Sequence, residues 1–401
     1  MPDWKIMTKP TTSMRSTLVA AAFLMATSAI GPGFLTQTAV FTGKLGASFG
    51  FVILLSILLD IGAQLNIWRI VSVSGLRAQE IANRVVPGMG HVLTAMIAIG
   101  GFAFNIGNLA GAGLGLNALT GLPVSWGAAI SAVLAILVFV SRDALAGMDA
   151  VAKALGVLMF SLTLYVVFAS HPPVALALRK SVLPDRIDAR AVLTLVGGTV
   201  GGYISFAGAH RLLESGLTGQ EHVKSVSRSA VTAILLASVM RVLLFLAALG
   251  VFSRGIRMEE GNPAAGVFRA AAGQVGYLIF GFVMWSAAIT SVIGSAFTSV
   301  SFLKTLHPSL AAQERKVIVA FVVLSAVFFL VVGQPVKTLV AVGTLNGFIL
   351  PFALGAMLLA LSRKDVIGGY RHPEWMTAAG LLVAAATLWM GVSTLWKMVT
   401  E

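Results

Sequence analysis

The chain has no cysteine and only 15 acidic residues in 401. Without cysteine there are no disulfides and no thiolate metal sites, so any ligand set must come from carboxylates, imidazoles, hydroxyls, amides and backbone carbonyls. Charged residues make up 11% of the chain, against roughly 25% in soluble globular domains. No GxxxxGK[ST] phosphate loop occurs, and no polar stretch is long enough to form a soluble nucleotide-binding domain. Energy drawn from ATP and an enzymatic role are therefore not expected, and nothing calls for a cofactor.

What is present is apolar: 57% hydrophobic residues and a mean hydropathy of +0.92. Runs of the length a membrane helix needs, about 20 residues, recur along the chain. They predict eleven spans near 17–42, 48–72, 91–119, 125–141, 151–170, 192–216, 228–252, 267–303, 316–334, 338–361 and 375–397. The expected class is an all-α polytopic protein of the lipid bilayer. Lys5, Lys9 and Arg15 before the first run imitate a secretory signal. More membrane follows, however, and cleavage would remove a helix with an unusual interior, so that possibility is set aside.

A net charge of +13 in a soluble protein would suggest nucleic acid. Here the basic residues fall in alternate loops, as membrane orientation requires, and no nucleic-acid partner is expected. Arg69, Arg77, Arg84, Lys224, Arg228, Lys304, Arg315, Lys316, Arg363, Lys364 and Arg371 share one side with the N-terminus. That places the N-terminus in the cytoplasm and the C-terminus outside, in what is expected to be a bacterial inner membrane. Nothing in the sequence sets an oligomeric state.

Two spans are broken by glycine: the first at Ala29-Ile30-Gly31-Pro32-Gly33-Phe34, the sixth at Ile204-Ser205-Phe206-Ala207-Gly208-Ala209-His210. In hydrocarbon, backbone groups freed by a break must be shielded by protein or line a cavity. Breaks in spans one and six point to a substrate site between two inverted repeats, the LeuT plan. The expected divisions are 1–170 (helices 1–5), an outer connector or partial lid at 171–190, 191–361 (helices 6–10), and 362–401 with the eleventh helix.

These segments resemble the NRAMP (natural resistance-associated macrophage protein) group of divalent-metal transporters. The group's Asp-Pro-Gly-Asn break corresponds to Gly31-Pro32-Gly33-Phe34 here, and its Met-Pro-His to Gly208-Ala209-His210. Gln64 with Arg69, the run Gly111 to Pro123, and Leu350 to Leu354 extend the similarity. The metal ligands do not carry over. Gly31, Phe34 and Gly208 stand where the resemblance implies aspartate, asparagine and methionine, and Asn105 and Asn108 stand where it implies acids. A dehydrated dication would find no carboxylate at this site, so no metal site is assigned.

Unwound helices instead present N–H groups and positive dipole ends suited to an anionic group. The expected substrate-binding residues are Gly31, Gly33, Phe34, Thr36, Gln37, Asn105, Asn108, Tyr203, Ser205 and Gly208. Ser286, Thr290, Ser291, Ser295 and Asn346 are candidates to extend the lining. Gly107, Gly111 and Gly115 read as a packing face. Asp60, Arg241 and His210 are the ionisable residues set deep in spans, and are taken as coupling or gating groups; Asp60 and Arg241, in equivalent spans of the two repeats, are expected to pair.

The function expected is secondary transport, by alternating access, of a small polar organic solute: an amino acid, a cyclic derivative or a small carboxylate. H+ or Na+ would be the coupling ion. The alternative is a divalent-metal transporter of altered selectivity, for instance for hydrated magnesium. A membrane sensor that kept the scaffold is a third class, with nothing in the chain to support it.

Overall fold

The computed structural model describes residues 30–400 together with Leu18, Val19, Ala22, Met25, Ala26 and Ala29; side chains at 142–153, 155, 211, 398 and 399 are not described. The start of the first predicted span therefore lies largely outside the described residues. Past its break the span continues as α1 (Pro32–Leu45), and a single turn over Gly46–Ser48 leads into α2 (Phe49–Ser74). The short amphipathic α3 (Ala78–Val85) precedes α4 (Met89–Thr120), α5 (Val124–Val140) and α6 (Arg142–Ser170). After α7 (Val174–Val182), the sixth span is two helices, α8 (Ala189–Thr199) and α9 (Ile204–Glu214). There follow α10 (Val223–Ser253), α11 (Pro263–Leu303), α12 (Pro308–Ala312), α13 (Glu314–Val332), α14 (Pro335–Leu359), α15 (Lys364–Ile367) and α16 (Glu374–Thr400).

Among the described residues, the predicted spans from the second onward coincide with one of these helices or with a broken pair, and the first with α1 from its break onward. By length and composition eight described segments are long and apolar enough to cross a bilayer, with Pro32–Ser74 counted as one, and Val124–Val140 is a shorter apolar helix. Outward faces remain apolar: Trp126, Leu137, Leu382, Trp389 and Trp396 are all exposed. In water such a surface would be a liability; against lipid it is the expected one.

Helices meet where side chains are smallest. The most extensive packing joins α4 to α11, and there a Cβ on Gly115 would come within 2.6 Å of the Trp285 amide nitrogen. Likewise, α8 lies on α14, and a Cβ on Gly347 would come within 2.5 Å of the Leu193 carbonyl. Gly111 receives the ring of Pro32, so the α4 glycine stripe also seats the break of the first span.

The segment 171–190 is more structured than its prolines suggest. Pro172 and Pro173 end α6 and begin α7, a role that the fixed φ of proline suits; α6 and α7 are bent by 106° across them. α7 lies on α2 beside Gly50, and Asp185 N–H donates to Ser48 Oγ at 3.0 Å. Lys180 pairs with Asp185, and Arg186 donates to the Lys44 carbonyl.

Candidate substrate site between the two helix breaks

In the first span Ile30 N–H closes the last bond of the leading half on Ala26 O at 2.9 Å. Gly31 is then extended (φ −100°, ψ −176°), and Pro32 opens α1. Proline fits because the N–H it lacks would have no helical partner at that position. The N–H groups of Gly33 and Phe34, ahead of the Leu35 N–H that closes on Gly31 O at 3.3 Å, face the break. A Cβ on Gly31 would sit 3.6 Å from both Asn108 Oδ1 and Ser291 Oγ. The break is thus in touch with α4 and α11.

The sixth span unwinds earlier than expected. Val200 to Tyr203 are non-helical, whereas the predicted break, Ile204 to His210, lies within α9 (Ile204–Glu214). Gly202 sets the position: its φ of +55° is left-handed, and its bare Cα accommodates the Asn346 side-chain carbonyl from α14. Asn346 Nδ2 donates to Gly100 O at 3.2 Å and to Val342 O at 3.0 Å, so one amide ties the break to α4 and α14. Ser205 donates to the freed Val200 carbonyl at 2.6 Å. Gly208, expected at the break, instead makes room within α9 for the indole of Trp68, whose Nε1 donates to Ser205 O at 2.9 Å. The glycine at 208 reflects packing against a large ring, a requirement the sequence pattern does not separate from unwinding.

A neutral polar belt runs between the two breaks. Asn108 Nδ2 lies 3.5 Å from Ser295 Oγ, Ser295 donates to Asn105 Oδ1 at 3.2 Å, and Asn105 Nδ2 donates to Ser325 Oγ at 3.2 Å. The Tyr203 hydroxyl also faces Ser295, and its ring meets Phe104 edge-on at 5.3 Å. Asn105, Asn108, Tyr203 and Gly31 are thereby brought together, whereas the Ser205 side chain serves the break itself through the Val200 carbonyl. Gln37 lies to one side, its Nε2 donating to Leu339 O at 2.8 Å, with Oε1 buried and unpartnered against Gly198; a Cβ on Gly33 would lie 3.5 Å from Gln37 Nε2. The Thr36 hydroxyl is likewise buried without a partner.

Phe34 separates this belt from a charged cluster. The Arg241 guanidinium stacks 4.1 Å from the centre of its ring and donates through Nη1 to Thr199 Oγ1 at 2.9 Å. Thr199 is the last residue of α8, where helix carbonyls are unpaired and a cation is favoured. Asp60 faces the same hydroxyl and feels the Arg241 charge. The expected direct pair is not formed: no ion pair joins Asp60 to Arg241, and Thr199 mediates between them. Asp60 Oδ1 and Arg241 Nε and Nη2 remain buried and unpartnered. Thr199 escaped the sequence reading; its place directly before the Val200-Gly201-Gly202 unwinding was the available signal.

His210 lies apart from the belt. Its Nε2 accepts the Ala78 N–H at 3.3 Å, and its ring stacks on Phe302 at 4.9 Å. Beside it Arg77 pairs with Glu214 at 3.7 Å. It therefore holds the start of α3 to α9. Among the described residues no group of three or more His, Cys, Asp or Glu side chains converges in a way that could hold a metal ion.

The family model for natural resistance-associated macrophage protein-like proteins matches residues 22–397. The Bacillus subtilis protein named "Uncharacterized membrane protein YcsG" is 56% identical over 380 residues, 95% of this chain and 94% of its own length. A Haemophilus influenzae "Uncharacterized membrane protein" is 56% identical over 372 residues, 93% of this chain and 94% of its own. In solved structures, a variant of the Eremococcus coleocola manganese transporter superimposes with a TM-score of 0.76 over 97% of this chain and 88% of that one, at 16% identity. MhsT in complex with L-phenylalanine does so with a TM-score of 0.66 over 95% and 98%, also at 16% identity. The fold is that of the LeuT-type transporters, and the chain is a membrane transporter belonging to the Nramp family.

Proposed function

We propose that this Nramp-family protein moves a small polar organic solute bearing an anionic group, an amino acid, a cyclic derivative or a small carboxylate, rather than a bare transition-metal ion. The observation that carries this is the make-up of the space between the breaks: amides and hydroxyls of Asn105, Asn108, Ser291, Ser295 and Tyr203, with an arginine behind Phe34 and no carboxylate in the belt. A dication stripped of water must recover its hydration from charged oxygen or sulfur. The Arg241 guanidinium behind Phe34 repels a dication, a cost that Asp60, on the far side of Thr199, offsets in part. For a carboxylate the same charge is attractive, and the first-turn N–H groups of α1 are its natural donors. The fold accommodates such cargo, since the MhsT neighbour is in complex with an amino acid.

Asp60, Arg241 and His210 are proposed as the coupling and gating groups, with H+ or Na+ as the driving ion. A proton taken up at His210 Nε2 would displace the Ala78 N–H and loosen α3 from α9. The N-terminus is placed in the cytoplasm and the C-terminus outside, in the inner membrane.

A second reading rests on the family match and on the manganese transporters among the structural neighbours: a divalent cation that keeps much of its water, such as magnesium, asks less of its ligands. Uptake into proteoliposomes separates the two. Radiolabelled amino acids and organic acids are compared with Mn2+ and Mg2+ at varied pH and Na+. Saturable uptake of one carboxylate, insensitive to EDTA, is expected; metal uptake without competition by any carboxylate selects the second reading.

A further inference from the structure

Away from the breaks, three cations from three separate chain segments line one crevice of about 330 Å³: Arg69 of α2, Lys224 in the first turn of α10, and Arg371 just before α16. We propose that this crevice binds a phosphate-bearing anion, foremost the phosphodiester headgroup of an anionic phospholipid.

The cations are not balanced within the protein. None of the three forms an ion pair among the described residues. Glu221, the one acid in the lining, is 70% exposed at its side chain and turned toward His222. Arg69 is pre-positioned by neutral partners: Nε donates to Ser227 Oγ at 2.6 Å and Nη1 to the Tyr370 hydroxyl at 3.2 Å. This fixes the plane of the guanidinium and leaves Nη2 for a further acceptor, an arrangement suited to tetrahedral oxyanions.

Position selects the kind of anion. Arg69 lies one turn from the end of α2, Lys224 at the start of the 31-residue α10, and Arg371 just ahead of α16, which begins at Glu374, so the crevice sits where three spans leave the hydrocarbon. Headgroup phosphates occupy that depth, and basic pockets between span ends are favoured sites for them. At about 30 Å³ per water, the volume admits a phosphate with its glycerol. A headgroup there would join α2 and α10, which pack on one another, to α16.

The test uses purified full-length protein in detergent, with thermal unfolding followed against added dioleoylphosphatidylglycerol, dioleoylphosphatidylcholine or inorganic phosphate. Phosphatidylglycerol is expected to stabilise and phosphatidylcholine not. Each basic residue near an anionic surface contributes about 1 kcal/mol, so the K224Q/R371Q variant should need roughly 30-fold more phosphatidylglycerol for the same shift. The charge-retaining K224R/R371K variant should behave as wild type, which separates loss of the site from loss of the fold. Stabilisation by millimolar inorganic phosphate, lost in the same variant, would support the same site with a soluble source. Equal phosphatidylglycerol shifts in wild type and K224Q/R371Q, or no shift with either phosphate probe, would overturn the proposal.

Discussion

Replacing Arg241 by glutamine isolates the charged cluster behind the first break. The change removes a charge-assisted bond to Thr199, typically about 1.5–3 kcal/mol, and the stacking of a guanidinium 4.1 Å from the Phe34 ring centre, about 1–2 kcal/mol when desolvated. It also leaves Asp60, 1% exposed, without its compensating charge. Breaking one side of a buried pair costs about 3–5 kcal/mol, a figure that already includes much of the lost bonding. The R241Q variant is therefore expected to lose about 3–5 kcal/mol, measured by denaturant titration in detergent. Asp60→Asn alone should be costly for the converse reason. The R241Q/D60N double variant carries no buried charge, and glutamine, threonine and asparagine can still hydrogen-bond, so it should recover about 1–3 kcal/mol relative to the sum of the single changes. Uptake of the organic anion should stay lost in the double variant although the protein is folded. Additive destabilisation, within about 0.5 kcal/mol, would refute the coupling of Asp60 and Arg241 through Thr199.

Asn108→Ala should weaken solute binding by about tenfold, since one hydrogen bond to a polar ligand is worth about 1 kcal/mol or more; a thermal-shift titration reads this, and unchanged affinity would remove Asn108 from the site. Gly202→Ala places a methyl group in left-handed backbone and against the Asn346 amide, and should cost more than about 1 kcal/mol and impair transport; a variant as stable and active as wild type would speak against a fixed break at that residue. His372 donates to Asn66 Oδ1 at 2.9 Å, and burial, with Arg69 adding to it, holds its pKa down at about 4. A depressed histidine pKa stabilises the fold above the ordinary value near 6.5 and loses that contribution as pH falls toward about 4. His372→Gln should flatten this part of the stability profile, and an unaltered profile would contradict the assignment.

Much of the architecture was legible because hydrocarbon imposes length and composition on every span, so the apolar runs coincide with helices, eight of which, among the described residues, are long and apolar enough to cross a bilayer. The first break was readable from Gly31 and Pro32, one extended and the other at the first helical position. The second was misplaced because glycine serves two ends in the same span: Gly202 for left-handed backbone beside Asn346, Gly208 for close approach of Trp68. Only the identity of the packing partner distinguishes these, and that partner lies more than 130 residues away in the chain. Asn105 and Asn108 were singled out because they stand where the family resemblance implies acids, but their connection through Ser295 and Ser325 required the packing of α4, α11 and α13. The link through Thr199 was invisible for the same reason: a threonine that also bonds its own helix at Leu195 O has no sequence mark of a second role.

The central claim is that the space between the breaks selects an anionic organic solute over a dehydrated dication. Competition in one set of proteoliposomes tests it most directly, with the best organic anion from a uptake panel and Mn2+ offered together, each labelled and each titrated against the other. The account predicts saturable uptake of the organic anion that Mn2+ does not inhibit and that Asn108→Ala reduces. Saturable Mn2+ uptake that organic anions leave untouched, with no anion transported, would contradict it.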